Sequence, residues 1–439
     1  MQDKYKLIRN LRNKSQVLYP AVHPTFESLA YPARNHDIIF NQGVLTPDIT
    51  FTRASAAFAH TYGNLSLFST NAARFGGLQN ESYTGLLMES AATNLLLQSS
   101  ALNTTWTPIL STVTASTTVA PDGTTSADTL ARTTIAANFL TQTISKAASA
   151  IQYTLSWHVH RTAGTADYVA FRAQGAFPAR IDVCYRKSTN TIVSSSATTF
   201  TGLTSGIKTI DANYVRVWMT FTTDTAAVLE SLVSPRTSDG EIDSADASST
   251  ASCMLWQPDL VTGAFAGSPI PTTTAAVTRA ADVSGVSNIN TKPWFNATEG
   301  TLFVDFQRGA EVNINTCALS VDNGSVTSNG ILIQQADTAF NLEFNIQAFV
   351  AGVLVLSQSI SSGTANIRAK IAVAYKDGDW AICLNGGTVY TSAVAVPAGL
   401  TTMRIGKHTA VADTLNGVIK NVAFYGARLP NSTLQTITA

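Results

Sequence analysis

The sequence predicts an all-β protein: two tandem jelly-roll β-sandwiches preceded by an irregular N-terminal segment. Three observations carry this. Ser, Thr, Ala, Gly and Asn are abundant while Lys and Glu are scarce, which suits pleated surfaces and turns better than long solvated helices. Several stretches alternate: Tyr153, Leu155, Trp157 and Val159 share one face opposite Thr154, Ser156 and His158, and Val215, Val217, Met219 and Phe221 oppose Arg216 and Trp218. Such strands recur between Gly- and Ser/Asp-rich turns, a spacing that favours sandwiches over any α/β plan.

Composition narrows the partners. The chain has 439 residues and is 45% hydrophobic, enough for more than one core. Only 13% is charged, with 28 basic and 28 acidic residues, so no overall field steers it to nucleic acid or an anionic membrane. Neutral partners, protein or sugar, are expected. Cys184, Cys253, Cys317 and Cys383 are scattered without a C-x-x-C pair and read as buried free thiols, suited to a reducing cytoplasm. The opening MQDKYKLIRNLRNKSQ lacks the apolar run of a secretory signal, and no stretch reaches the ~18 apolar residues needed to span a bilayer. If the protein acts outside a cell, release by lysis or on a particle is the expectation.

In chain order, residues 1–48 read as a docking arm, with Lys4, Lys6, Arg9, Arg12 and Lys14 in one basic run followed by aromatic and proline punctuation. Residues 49–275 form the first module: the strand ITFTRASAAFAH, the segment GLLMESAATNLLLQSS, then about six strands between residues 98 and 256. Within residues 256–282, Pro258, Pro269 and Pro271 remove backbone donors and make a semi-rigid hinge, exposed over residues 268–274. Trp256, Leu260 and Phe265 are expected to complete the first module. Val277-Thr278-Arg279-Ala280 echoes Phe51-Thr52-Arg53-Ala54, so the two segments are expected side by side as a brace. Residues 276–439 form the second module, with Asp377-Gly378 and Asn385-Gly386 as tight hairpin turns.

Residues 51–56 (FTRASA), 85–96 (GLLMESAATNLL) and the closing run from Trp256 to Asp282 resemble segments of bacteriophage virion proteins, tail or head fibre or decoration, that carry a carbohydrate-binding-module-like jelly roll. Leu384-Asn385-Gly386 and Gly417 to Tyr425 resemble a concanavalin A-like, laminin-G-type jelly roll. The resemblance implies a non-enzymatic virion structural protein, made in the host cytoplasm and displayed on the particle, whose N-terminal arm contacts other virion proteins. It would bind host-surface polysaccharide as a receptor-binding adhesin, a homotrimer by analogy. The alternatives are a capsid-decoration or head-fibre protein contacting other virion subunits, and a polysaccharide depolymerase.

Side chains that could carry chemistry are few. Exposed aromatics stack on pyranose faces, and of Trp106, Trp218, Trp294 and Trp380 the two read as out of phase with their strands' aliphatic faces, Trp218 and Trp380, are the expected ligand-binding residues. Glu241, Asp243 and Asp246 are the nearest approach to a glycosidase carboxylate set, but Asp239, Gly240, Ser248 and Ser249 around them read as a solvated loop. His158 and His160 share a strand face yet lack a supporting Cys, Asp or Glu, and read as polar residues on a wet face. Glu89 reads as a carboxylate fixing a bend through backbone donors. No cofactor is expected beyond a structural Ca²⁺, for which Asp122, Asp128, Asp239, Asp322 and Asp337 are candidate donors.

Overall fold

Alternation is realised as strand parity in the computed structural model, which describes residues 36–40, 44–61, 64–77, 84–309, 316–338, 341–361, 368–409 and 414–439. Among the described residues the regular elements are antiparallel strands, apart from a 3-10 turn at Ile289–Thr291 and a helix at Asn431–Thr438. None of their helices is long and apolar enough to cross a membrane.

The middle sandwich is a pair of six-stranded sheets. One runs in the order Thr201–Thr209, Tyr214–Thr222, Gln152–His160, Ser252–Thr262, Thr125–Arg132, Ser111–Val119, and the other Thr191–Thr198, Arg180–Arg186, Tyr168–Gln174, Val228–Arg236, Phe139–Ser145, Thr107–Ile109. The chain repeatedly crosses between the sheets, which is jelly-roll winding. Between them the expected inward residues meet: Trp157, Val159, Val217 and Met219 from one sheet pack on Phe171, Ile181 and Val183 of the other, all buried. Cys184, Cys253, Cys317 and Cys383 are buried free thiols, as expected.

The second sandwich pairs an eight-stranded sheet with a seven-stranded one. Its strands depart from the expected boundaries at residues 48 and 275. His36–Ile39, inside the expected arm, pairs with Gly417–Tyr425. Thr50–Thr52 pairs with Val283–Ser287, and Gly85–Met88 pairs with Phe75–Gly76 and Gly417–Tyr425. The second sandwich is therefore built from chain on both sides of the middle one, which is inserted into it between about residues 94 and 277. The cause is burial: Ile38, Phe40, Phe51, Leu86 and Met88 are each too short a run to bury themselves and complete the core of Val304, Ile371 and Phe424. Gly85 permits the contact, since a Cβ there would lie 2.2 Å from the Ile419 carbonyl oxygen. The rest of the expected arm, residues 1–35, lies outside the described residues.

Residues 34–439 form one compact unit, and two devices join its sandwiches. The hairpin Ala57–Thr61/Asn64–Phe68 is a wedge. Its Phe58 and Leu65 pack on Tyr214, Trp256 and Ile210 of the middle sandwich, while Ala59 and Phe68 pack on Leu87 and Val418 of the second. At the crossing, Ala92–Asn94 pairs with Val277–Arg279. The buried Asn94 amide donates to Pro258 O and Ile270 O (both 3.0 Å) and its oxygen accepts from the Leu96 and Leu260 amides (3.1 and 3.0 Å).

The exposed part of the hinge lies later than expected. Ile270 and Thr272 are buried, with Thr272 Oγ1 donating to Leu96 O (2.6 Å), and continuous exposure is confined to residues 273–278. Trp256 and Leu260 do belong to the last strand of the middle sandwich, but Phe265 lies beyond it, half-buried under Lys208 Nζ, 5.1 Å from its ring centroid. The two Thr-Arg-Ala segments do not pair with each other. Each pairs elsewhere, and they touch where the Ala280 amide donates to Ser55 Oγ (2.9 Å).

Candidate functional site

Side chains of four segments converge at the joint. Arg53 follows the strand Thr50–Thr52, Arg74 precedes Phe75–Gly76, Glu89 follows Gly85–Met88, Arg279 ends the crossing strand Val277–Arg279 and Asp282 lies just beyond it; all five are buried. Arg74 Nη1 donates to Glu89 Oε2 (2.6 Å) and its Nη2 pairs with Asp282. Arg53 Nη1 reaches Asp282 Oδ1 (3.2 Å), and Arg279 Nη1 lies 3.3 Å from Glu89 Oε2. The Ser268 amide and hydroxyl both donate to Glu89 (2.7 and 2.5 Å). Burial alone would raise the Glu89 pKa; the fields of Arg279 and Arg74 and the Ser268 donors instead hold it well below the ordinary carboxylate range. Glu89 thus fixes a bend, as expected, but mainly through two guanidiniums. Both echoing arginines, Arg53 and Arg279, end in this network, so they brace the modules by charge and not by a shared ladder.

Around residues 265–269 the joint leaves two recesses. One of about 80 Å³ is lined by Arg216, Asp259, Phe265, Arg279, Ser90 and Asn416, among others. The other, about 20 Å³, has His60, Glu89, Lys208 and Arg216 in its wall. Arg216 is buried, donating through Nε to Ser156 Oγ (3.0 Å) and through Nη2 to Asp259 Oδ2 (2.9 Å), and it also bonds Gly267 O. Burial first, then Lys208 and Arg216, push the His60 pKa down to about 4, so this imidazole is neutral near pH 7.

Trp218 lies two residues beyond Arg216 on the same strand face. It is half-buried, opposite Gly206 on one neighbouring strand and Ser156 on the other. A Cβ on Gly206 would come within 2.6 Å of Trp218 Cζ2, so the indole lies directly over that glycine. By register Ser156, Thr220 and Lys208 share its face; Ser156 and Thr220 are buried and bonded to Arg216 and Thr154 respectively, and Lys208 Nζ donates to Ala266 O (2.7 Å).

Trp380 is a correction. It is fully buried, its Nε1 donates to Val394 O (3.0 Å), and it packs on Tyr375 in the second core. Its parity matches Ile382 and Leu384, which are core, while Ala381 and Cys383 face the C-terminal helix through Leu434. Trp106 and Trp294 are core as well.

The acidic loop is not merely solvated. Ile242 plugs it onto Ala170 and Leu232, and each carboxylate meets an arginine: Glu241 with Arg180 (3.1 Å), Asp243 with Arg172 (2.8 Å), Asp246 with Arg132 (2.8 Å). Donation from Ser196 above all, then Arg180, holds the Glu241 pKa below its usual value, the opposite of a general acid's need. His158 is buried, edge-on to Trp256 with Nδ1 3.1 Å from Gln257 O, because the hairpin wedge covers what would be a wet face. Among the described residues no three His, Cys, Asp or Glu gather to hold a metal. Asp128 accepts from the Leu102 and Ser116 amides (both 2.7 Å) and Asp322 pairs with Arg404 (2.8 Å); the Asp337 side chain lies outside the described residues.

No family model matches the chain, and no curated protein does. Among solved structures it is similar to the CBM40 domain of the Ruminococcus gnavus IT-sialidase bound to alpha2,3 sialyllactose, at TM-score 0.30 and 14% identity over 35% of this chain and 91% of that one. The NanB sialidase of Streptococcus pneumoniae is similar at TM-score 0.29 and 13% identity over 35% of this chain and 26% of that one. Domains LG4-5 of the mouse laminin alpha1 chain are similar at TM-score 0.24 and 8% identity, over 77% of this chain and 89% of that one.

Proposed function

We propose that the chain is a non-enzymatic virion protein that binds host-surface glycan through the middle sandwich, with the second sandwich as its platform. The observation that carries the binding is Trp218: a half-buried indole held over Gly206 on the outward-facing parity of its strand. An aromatic face suits a pyranose, whose axial C–H groups stack on it. Low charge favours a neutral contact surface over an electrostatic one. The virion setting rests on the sequence resemblance, whose motif residues Arg53, Glu89, Asn94, Arg279 and Asp282 are the ones that fix the joint.

Binding is tested on a glycan array and by calorimetry with host-surface polysaccharide. Trp218→Ala should weaken it by about 2 kcal/mol, roughly 30-fold, with the fold intact, whereas Trp218→Tyr should retain most of it. Equal binding by wild type and Trp218→Ala refutes the site. Particle placement is tested by immunogold labelling: label at the tail supports the adhesin, and label over the capsid lattice supports decoration. Deleting residues 1–35 should abolish incorporation while both sandwiches stay folded.

A further inference from the structure

The joint is unbalanced in charge. Among the described residues, four buried guanidiniums, Arg53, Arg74, Arg216 and Arg279, meet three buried carboxylates, Glu89, Asp259 and Asp282. One positive charge is left over where water is largely excluded, and an uncompensated buried charge is strongly unfavourable. The donors are in excess too: Arg74 Nε and Arg279 Nε are buried with no hydrogen-bond partner. Arg279 is 2% exposed and lines the larger recess together with Arg216, the Ser90 and Phe265 segments and Asn416. At about 80 Å³ that recess exceeds what one water fills and is roomy enough for a tetrahedral or planar oxyanion.

We infer that the recess between the sandwiches, walled by Arg216 and Arg279, binds a small oxyanion, either free phosphate or sulfate or the carboxylate of an acidic sugar. Arg279 Nη1 and Nη2 already donate to Ser268 O and Ser90 O, and the Arg216 nitrogens to Ser156, Gly267 and Asp259, so Arg279 Nε is the donor left for the anion and Arg216 contributes its charge. The anion cancels the surplus charge, gives Arg279 Nε an acceptor, and ties Arg279 on the crossing to Arg216 on the middle sandwich. The sugar source is included because Trp218 stands two residues from Arg216 on the same face, about 7 Å along the strand. The site itself does not depend on the Trp218 reading.

The test is thermal unfolding and calorimetry of the full chain at pH 7 and constant ionic strength. Phosphate, sulfate, acetate and glucuronate are titrated to about 10 mM against chloride, because a ligand of the native state raises Tm saturably. Ala264 also lines the recess, so Ala264→Leu adds bulk to its wall while keeping every arginine, and Arg279→Lys keeps the charge but deletes Nε. The expected result is a saturable rise of a few degrees in wild type, abolished in Ala264→Leu and weakened several-fold in Arg279→Lys, with Trp218→Ala responding like wild type to phosphate and sulfate. Phosphate or sulfate acting alone identifies a free ion, and glucuronate acting best identifies a sugar acid. Equal rises in wild type and Ala264→Leu are a general salt effect and overturn the site, as does no response to any of the four.

Discussion

Gly206 and Trp218 form one device at the scale of single residues. The indole occupies the space a side chain at 206 would fill, with Cζ2 2.6 Å from where a Cβ would sit. Gly206→Ala should therefore displace the ring and cost about 1–3 kcal/mol of stability, and it should lower glycan affinity nearly as far as Trp218→Ala, read by calorimetry. Retained affinity with an unchanged Tm would refute the packing. Glu89 is the opposite case, a residue whose neighbours suffer most from its loss. Glu89→Gln leaves Arg74 and Arg279 buried with one carboxylate fewer, and should destabilise by about 3–5 kcal/mol. Limited proteolysis should then cut faster at the exposed residues 273–276 than in the wild type, and an unaltered cleavage rate would show that the network does not hold the joint.

The wedge hairpin is the element that couples the two cores. Phe58 meets Trp256 edge-on at 6.0 Å, and Ala59, on the alternate face, meets Leu87 and Val418. Phe58→Ala should cost about 3–5 kcal/mol and split one calorimetric unfolding transition into two; a single transition of unchanged width would contradict the coupling. Sequence parity made the middle sandwich legible, since Trp157 and Val217 declare their faces by what lies two residues away. The same rule, applied to Trp380 with Ile382 and Leu384, already marks it as core. What parity cannot supply is the partner of a short strand. Gly85–Met88 is apolar throughout and fits any core, so its place beside Gly417–Tyr425, with some 330 residues between, is fixed only by which surface is left uncovered. Arg53 and Arg74 were illegible for another reason: arginines among Ser and Ala look solvated until the carboxylates that bury them, Glu89 and Asp282, are brought near by the fold.

Across the whole molecule, acid should act on the joint. His60 is held neutral with a pKa of about 4, against 6.5 in the unfolded chain, so the unfolded state binds the extra proton first. Stability is therefore complete above pH 6.5 and declines as pH falls to 4, by at most about 3 kcal/mol from this group. Glu89, whose pKa is also lowered, extends the loss below pH 4.5. Scans of Tm from pH 7 to 4 should show a shallower decline in His60→Gln than in wild type, and parallel curves would exclude His60 as a contributor.

The insertion also decides how the molecule carries load. A pull entering at His36–Ile39 and leaving at Gly417–Tyr425 stays within one sheet and never traverses the middle sandwich. A pull applied to the middle sandwich is shared by two neighbouring strands, Ala92–Asn94 and Val277–Arg279, so tension is divided between paired tethers instead of falling on one. The middle sandwich can thus be pulled without the load entering the ladder of the second through a single strand, because its two ends lie together.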